Sequence, residues 1–142
     1  VTQVAFHIGI DDRVGYACRL LRKALASGAE ALVIGEGAML AGVDRALWEA
    51  ELTGFVPHAR VDAPPAVRDR SPVLLAEQVP ADCAQEAILI NLGAAVPVDP
   101  HVRARMIELV SADEDDLRLA RQRWKHYSER GFSLTNHDAR KR

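Results

Sequence analysis

Cysteine is scarce: Cys18 and Cys83 are the two in 142 residues, and no second metal-type pair stands near either. That excludes a disulfide framework and a zinc site of the usual spacing. No apolar run reaches the ~18 residues of a membrane-spanning helix, and the start lacks the positive, apolar, small-residue order of a secretory leader. A cytoplasmic protein with reduced thiols and no membrane partner is expected. Catalytic signatures are missing too. His7, His58, His101, His126 and His137 show no H-x-x-x-H or H-E-x-x-H spacing, and neither a G-x-S-x-G elbow nor a Walker A lysine occurs. Gly35-Glu36-Gly37 invites a dinucleotide reading, but the sixth position of G-x-G-x-x-G is Leu40, and the turn follows the second apolar run instead of the first. No cofactor or metal is expected.

What remains is an ordinary globular composition, 49% hydrophobic and 27% charged with a formal net charge of −2. A chain of this length suggests one domain, residues 1–142, that buries about two thirds of its unfolded surface, with 135–142 loosely ordered. The charge is uneven. Residues 117–142 hold eight Lys/Arg against two acids, so the C-terminal part is basic and the rest acidic.

Apolar patterning gives the architecture. Thr2 to Ile10 reads as a buried strand with Val4, Phe6, Ile8 and Ile10 on one face. Asp11 and Asp12 offer N-caps to a helix carrying Tyr16, Ala17, Leu20, Leu21, Ala24 and Leu25, which Ser27-Gly28 ends. Ala31 to Ile34 is a second strand, and this unit favours a parallel crossover. A helix with Met39, Leu40, Val43, Leu47 and Trp48 follows. Residues 59–72 read as an irregular surface loop, Val73 to Glu77 and Ala87 to Leu92 as strands, and Arg105 to Val110 as the last strand. The expected fold is α/β, a single Rossmann-like domain with a mostly parallel central sheet flanked by helices.

The run DEDDLRLARQRWKHYSERGFSL, Asp113 to Leu134, dominates the basic part. Acids at its start suit the positive end of a helix dipole, and Gly131 supplies the stop. At ~100° per residue Leu117, Ala120, Trp124 and Tyr127 share one arc, flanked by Arg121 and Lys125 on one side and Arg123 and Arg130 on the other. One reading is a docking helix whose charges are only solvated. The other is a recognition surface: Arg121 and Lys125 at i and i+4 beside Trp124 suit a carboxylate that arrives with an apolar side chain.

The tail ARQRWKHYSERGFSLTNHD resembles the C-terminal signature of the chi subunit of bacterial DNA polymerase III holoenzyme, A-R-x-R-aromatic-K/R-x-Y-x-x-x-G-aromatic-x-L. Leu47-Trp48 followed by Phe55-Val56-Pro57-His58 is similar to that family's LW and FVPH segment, and Ile88-Leu89-Ile90-Asn91-Leu92 to its apolar strand. The blocks agree in order and approximate spacing along most of the chain. His58 is taken as structural.

The resemblance implies a non-catalytic accessory subunit of the replicase, associated with the clamp loader. It implies a partner in the acidic C-terminal tail of single-stranded DNA-binding protein, bound through Arg121, Trp124, Lys125 and Val110. It also implies the psi subunit as a partner where one exists, through Phe55 with Trp48 nearby, and a repair helicase on the tail-binding surface in some members. DNA contact is mainly indirect. Leu117, one turn before Arg121, makes the basic row short on that side. Two other classes stay open: a small nucleotide-binding α/β enzyme, and a direct single-stranded nucleic-acid binder that stacks bases on Trp124, Tyr127 and Phe132.

Overall fold

A computed structural model describes residues 2–49, 56–82, 86–99 and 103–140. In chain order they form β1 (Gln3–Ile10), α1 (Arg13–Ala26), β2 (Ala31–Ile34), α2 (Gly37–Trp48), β3 (His58–Arg60), α3 (Pro65–Asp69), β4 (Val73–Ala76), β5 (Ile88–Asn91), β6 (Arg105–Ser111), α4 (Glu114–Glu129) and β7 (Ser133–Asp138). The strands make one sheet in the order β3-β4-β2-β5-β6-β1-β7, and every described pairing is parallel. This is the expected Rossmann-like α/β arrangement. β1 and β2 run parallel but are not neighbours, because β5 and β6 lie between them.

Two layers of helix cover the sheet, as a parallel sheet requires. Side chains alternate along a strand, so successive residues serve opposite faces. Val33, Ile90 and Leu109 pack with Ala17, Cys18 and Leu21 of α1 and Leu40, Val43 and Leu47 of α2. Their neighbours Leu32, Leu89 and Val110 pack with Ala120 and Tyr127 of α4. Local chemistry sets the helix ends. The Asp12 carboxylate accepts from the Gly15 N–H at 3.0 Å to start α1, and Gly28 at φ 82° lies just beyond the end of that helix.

Three expectations are corrected. Val4 and Phe6 share the α4 face, with Ile8 packed against the same cluster, but Ile10 crosses to the other core. The cause is Gly9, at φ 71°, where the register between β1 and β6 shifts between His7 and Ile10. A side chain at Gly9 would be strained at that φ, and its Cβ would meet Arg140 Nε at 2.7 Å. Residues 59–72 are not merely a loop: they contain most of β3 and all of α3. β3 spans three residues and α3 five, too few for a period to show, although Pro65 stands at a helix start where proline is tolerated. Residues 133–138 form β7, a seventh strand that pattern reading missed because most of SLTNHD is polar and exposed.

Candidate functional site

α4 begins where expected. The Asp113 carboxylate accepts from the N–H groups of Asp115 and Asp116 at 3.1 and 3.3 Å. Glu114, Asp115 and Asp116 fill the first turn. Asp116 also ties the helix to β6, accepting from the Ser111 hydroxyl at 2.7 Å with the Arg13 guanidinium 3.5 Å away. Burial works to raise the Asp116 pKa, but the Ser111 hydrogen bonds and the Arg13 charge outweigh it, so the carboxyl lies below its usual value. At the far end Gly131, at φ 79°, stops the helix and turns the chain into β7.

The inward face carries a feature that periodicity did not reveal. Glu108 of β6 is fully buried, at 0% exposure, in the middle of the sheet. Arg123 Nε donates to its Oε1 at 3.0 Å, and the Tyr127 hydroxyl donates to its Oε2 at 2.6 Å. Asn91 Nδ2 at the end of β5 lies 3.0 and 3.1 Å from the two oxygens. Arg123 reaches further, donating to the Ala94 carbonyl at 2.8 Å, while Asn91 Oδ1 accepts from the Gly93 N–H at 2.9 Å. One carboxylate thus joins α4, β6, β5 and the segment after β5. Burial pushes the Glu108 pKa up, and the Arg123 charge with the donors from Tyr127 and Asn91 opposes that rise. Burial and the Glu108 charge raise the Tyr127 pKa, keeping its hydroxyl a donor. Arg123 was expected as a flanking surface cation; it is buried instead, with its charge satisfied inside. A lone acid in an apolar strand, followed by an Arg and a Tyr at i and i+4 on the next helix, is the signal that was available.

The same rotation of α4 puts Arg121 and Lys125 in solvent. Neither makes an ion pair among the described residues. Trp124 is half-buried between the two faces, its ring tilted 57° on Phe6 of β1 at 5.1 Å between centroids. Leu117, Ile8, Phe132 and Leu134 are also only partly buried against this cluster, so an apolar surface runs from α4 toward β7 with cations along its helix side. Val110 lies under it at 0% exposure, a floor and not a surface. Arg118 was missed. It sits at i−3 from Arg121, and its one ion pair among the described residues is with Asp115, at 3.8 Å with both side chains exposed, a pairing too weak to occupy it. The basic row is therefore longer than Leu117 alone suggested.

The other named residues lie apart from this face. Trp48, at the end of α2, is 62% exposed, with its ring edge-on to His58 at 5.5 Å. His58 is structural: Nδ1 bonds the Val56 carbonyl and Nε2 the Asp44 carboxylate, each at 2.7 Å. Phe55 lies outside the described residues. A cleft of about 820 Å³ opens at the carboxyl ends of β2, β4 and β5, lined by Gly35, Gly37, Asn91 and Val96. Its charged lining residues are Glu36 and Glu77, so a nucleotide's phosphates find no counter-charge there among the described residues. Among the described residues no group of three or more His, Cys, Asp or Glu is placed to hold a metal, and no helix is long and apolar enough to cross a membrane.

Fold and site together define a Rossmann-like α/β domain: a parallel sheet that presents a helix bearing exposed cations beside an indole. The profile of the DNA polymerase III chi subunit family, HolC, matches residues 1–135, and the chain belongs to that family. It is therefore a non-catalytic accessory subunit of the polymerase III holoenzyme. A search of curated proteins gave no match.

The buried network separates two chemically identical substitutions. Arg123→Met strands the Glu108 charge in the core and should cost about 3–5 kcal/mol of stability. Arg121→Met, on the solvent side of the same helix, should stay within about 0.5 kcal/mol of wild type. Urea unfolding of both variants checks this, and equal losses would contradict the assignment of inward and outward arginines.

Proposed function

We propose that this subunit binds the acidic C-terminal tail of single-stranded DNA-binding protein on the outer face of α4 and so links that protein to the replicase. The supporting observation is the pair Arg121 and Lys125, exposed and without ion-pair partners among the described residues, on the solvent edge of the half-buried Trp124. A guanidinium offers a planar fork to a terminal carboxylate and an ammonium adds a point charge, while Trp124, Leu117 and Leu134 receive the apolar side chain that accompanies it. Val110 acts from beneath by supporting the helix. Where a repair helicase carries a similar acidic terminus, the same face serves it.

A direct nucleic-acid reading fares worse on geometry. Stacking needs successive exposed rings. Tyr127 is buried, and Phe132 is half-buried, with the Arg130 guanidinium 5.2 Å from its ring centre. For the clamp-loader side, we infer that the psi subunit, where present, docks on the exposed indole of Trp48 and the neighbouring Pro57 and Val67, with Phe55 as part of that contact.

Calorimetric titration with a synthetic acidic peptide ending in an aromatic residue tests the first proposal. Losing a charge-assisted hydrogen bond is worth ~1.5–3 kcal/mol, roughly ten- to more than a hundredfold in affinity. Arg121→Ala should weaken binding by that much and Lys125→Ala by less, and added salt should weaken the wild-type complex. Equal affinity for free-acid and amidated peptides would exclude a carboxylate clamp. On the other face, Trp48→Ala should leave the thermal midpoint nearly unchanged and weaken psi binding; undiminished psi affinity would move that contact elsewhere.

A further inference from the structure

β7 is the outer strand of the sheet, bonded on one side to β1 and on the other to no strand among the described residues. The Ser133 N–H donates to the Thr2 carbonyl at 3.0 Å and the Ala139 N–H to the Ile8 carbonyl at 2.8 Å. Backbone directions alternate along a strand, so odd-numbered residues turn toward β1, and the N–H and C=O of Leu134 and Asn136 face outward. Edge strands usually guard themselves with charge, proline or a bulge. From Ser133 to His137 this one has none of these.

The edge is continuous with the α4 surface. Arg123 leans from α4 toward β6 and β5, whereas Trp124 leans toward β1, beyond which lies β7. Phe6, under Trp124, is in register with Asn136. A terminal carboxylate held at Arg121 and Lys125 thus brings its chain beside the middle of β7. Charge sets the direction. Glu114, Asp115 and Asp116 outweigh Arg118 at the start of α4, while Lys125 and Arg130 outweigh Glu129 toward its end, beside the beginning of β7. An acidic segment avoids the first region and runs along the second.

Building on the tail-binding reading above, we infer that the acidic residues preceding the terminal aromatic add to β7 as an eighth, parallel strand. The tail enters beside Ser133, pairs with the outward backbone groups of Leu134 and Asn136, and ends at Arg121. The distance from Ser133 to Asn136 is about 10 Å, enough for three peptide residues. Recognition then has two parts, a clamp that reads the terminus and an edge that accepts any extended acidic chain before it.

Single backbone N-methylation along the synthetic peptide, titrated into wild-type protein, tests this. Affinity should fall roughly tenfold at alternate peptide positions and little at those between. Asn136→Pro removes an outward N–H that makes no bond within the sheet, a replacement edge strands tolerate, and should weaken the unmodified peptide similarly at an unchanged thermal midpoint. A spin label on the peptide's amino end should broaden the amide signals of Ser133 and Leu134. A flat N-methyl scan with the wild-type clamp intact would overturn the added strand and leave the clamp standing, whereas no binding by wild type would remove both. Broadening centred on Asp138 overturns the parallel direction. A wild-type dimer on sedimentation that Asn136→Pro dissolves would show that the edge belongs to a second copy, and would overturn the proposal.

Discussion

The buried carboxylate of Glu108 fixes how α4 lies on the sheet. A charge at 0% exposure is tolerated only because Arg123, Tyr127 and Asn91 all donate to it. Two of those donors sit on α4 at i and i+4, so they set the rotation of the helix about its axis as well as its position. An apolar contact alone would tolerate some sliding; a network with paired donors and acceptors at 2.6–3.1 Å tolerates little.

That rotation divides the segment Ala120 to Tyr127 into two sets of residues with opposite duties. Ala120, Arg123 and Tyr127 face the sheet, and Arg121 and Lys125 face water. Trp124 lies between them, seated on Phe6 and open on its outer side. The proposed recognition surface therefore rests on an interior ion pair, and its cations stay available because, of the α4 arginines, it is Arg123 that takes the interior partner Glu108. Arg118 extends the outer row, while Asp113 caps the first turn of α4 and Asp116 ties it to Ser111 at the end of β6.

Much of this was legible in the sequence for physical reasons. Strands buried on both faces, such as Ala31 to Ile34 and Ile88 to Ile90, give continuous apolar runs. Helix ends were marked by Asp12, Asp113, Gly28 and Gly131. Elements stabilised by position instead of pattern were illegible: β3, α3 and the exposed edge β7. A helical projection places Arg123 and Arg121 on the two sides of one apolar arc and treats them alike. Only the buried acid across on β6 tells them apart, and that pairing spans 15 residues of sequence. The glycine bulge at Gly9, which sends Ile10 to the opposite core, is likewise a backbone event that an alternating pattern cannot show.

With two tryptophans in the chain, one on each proposed surface, the indole N–H signals of Trp48 and Trp124 report separately on the two faces. The most direct test is a nitrogen-15 spectrum recorded during titration with the acidic, aromatic-ended peptide. The account predicts that the Trp124 indole signal shifts progressively to saturation while the Trp48 signal stays in place. A shift of Trp48 with Trp124 unmoved would contradict it.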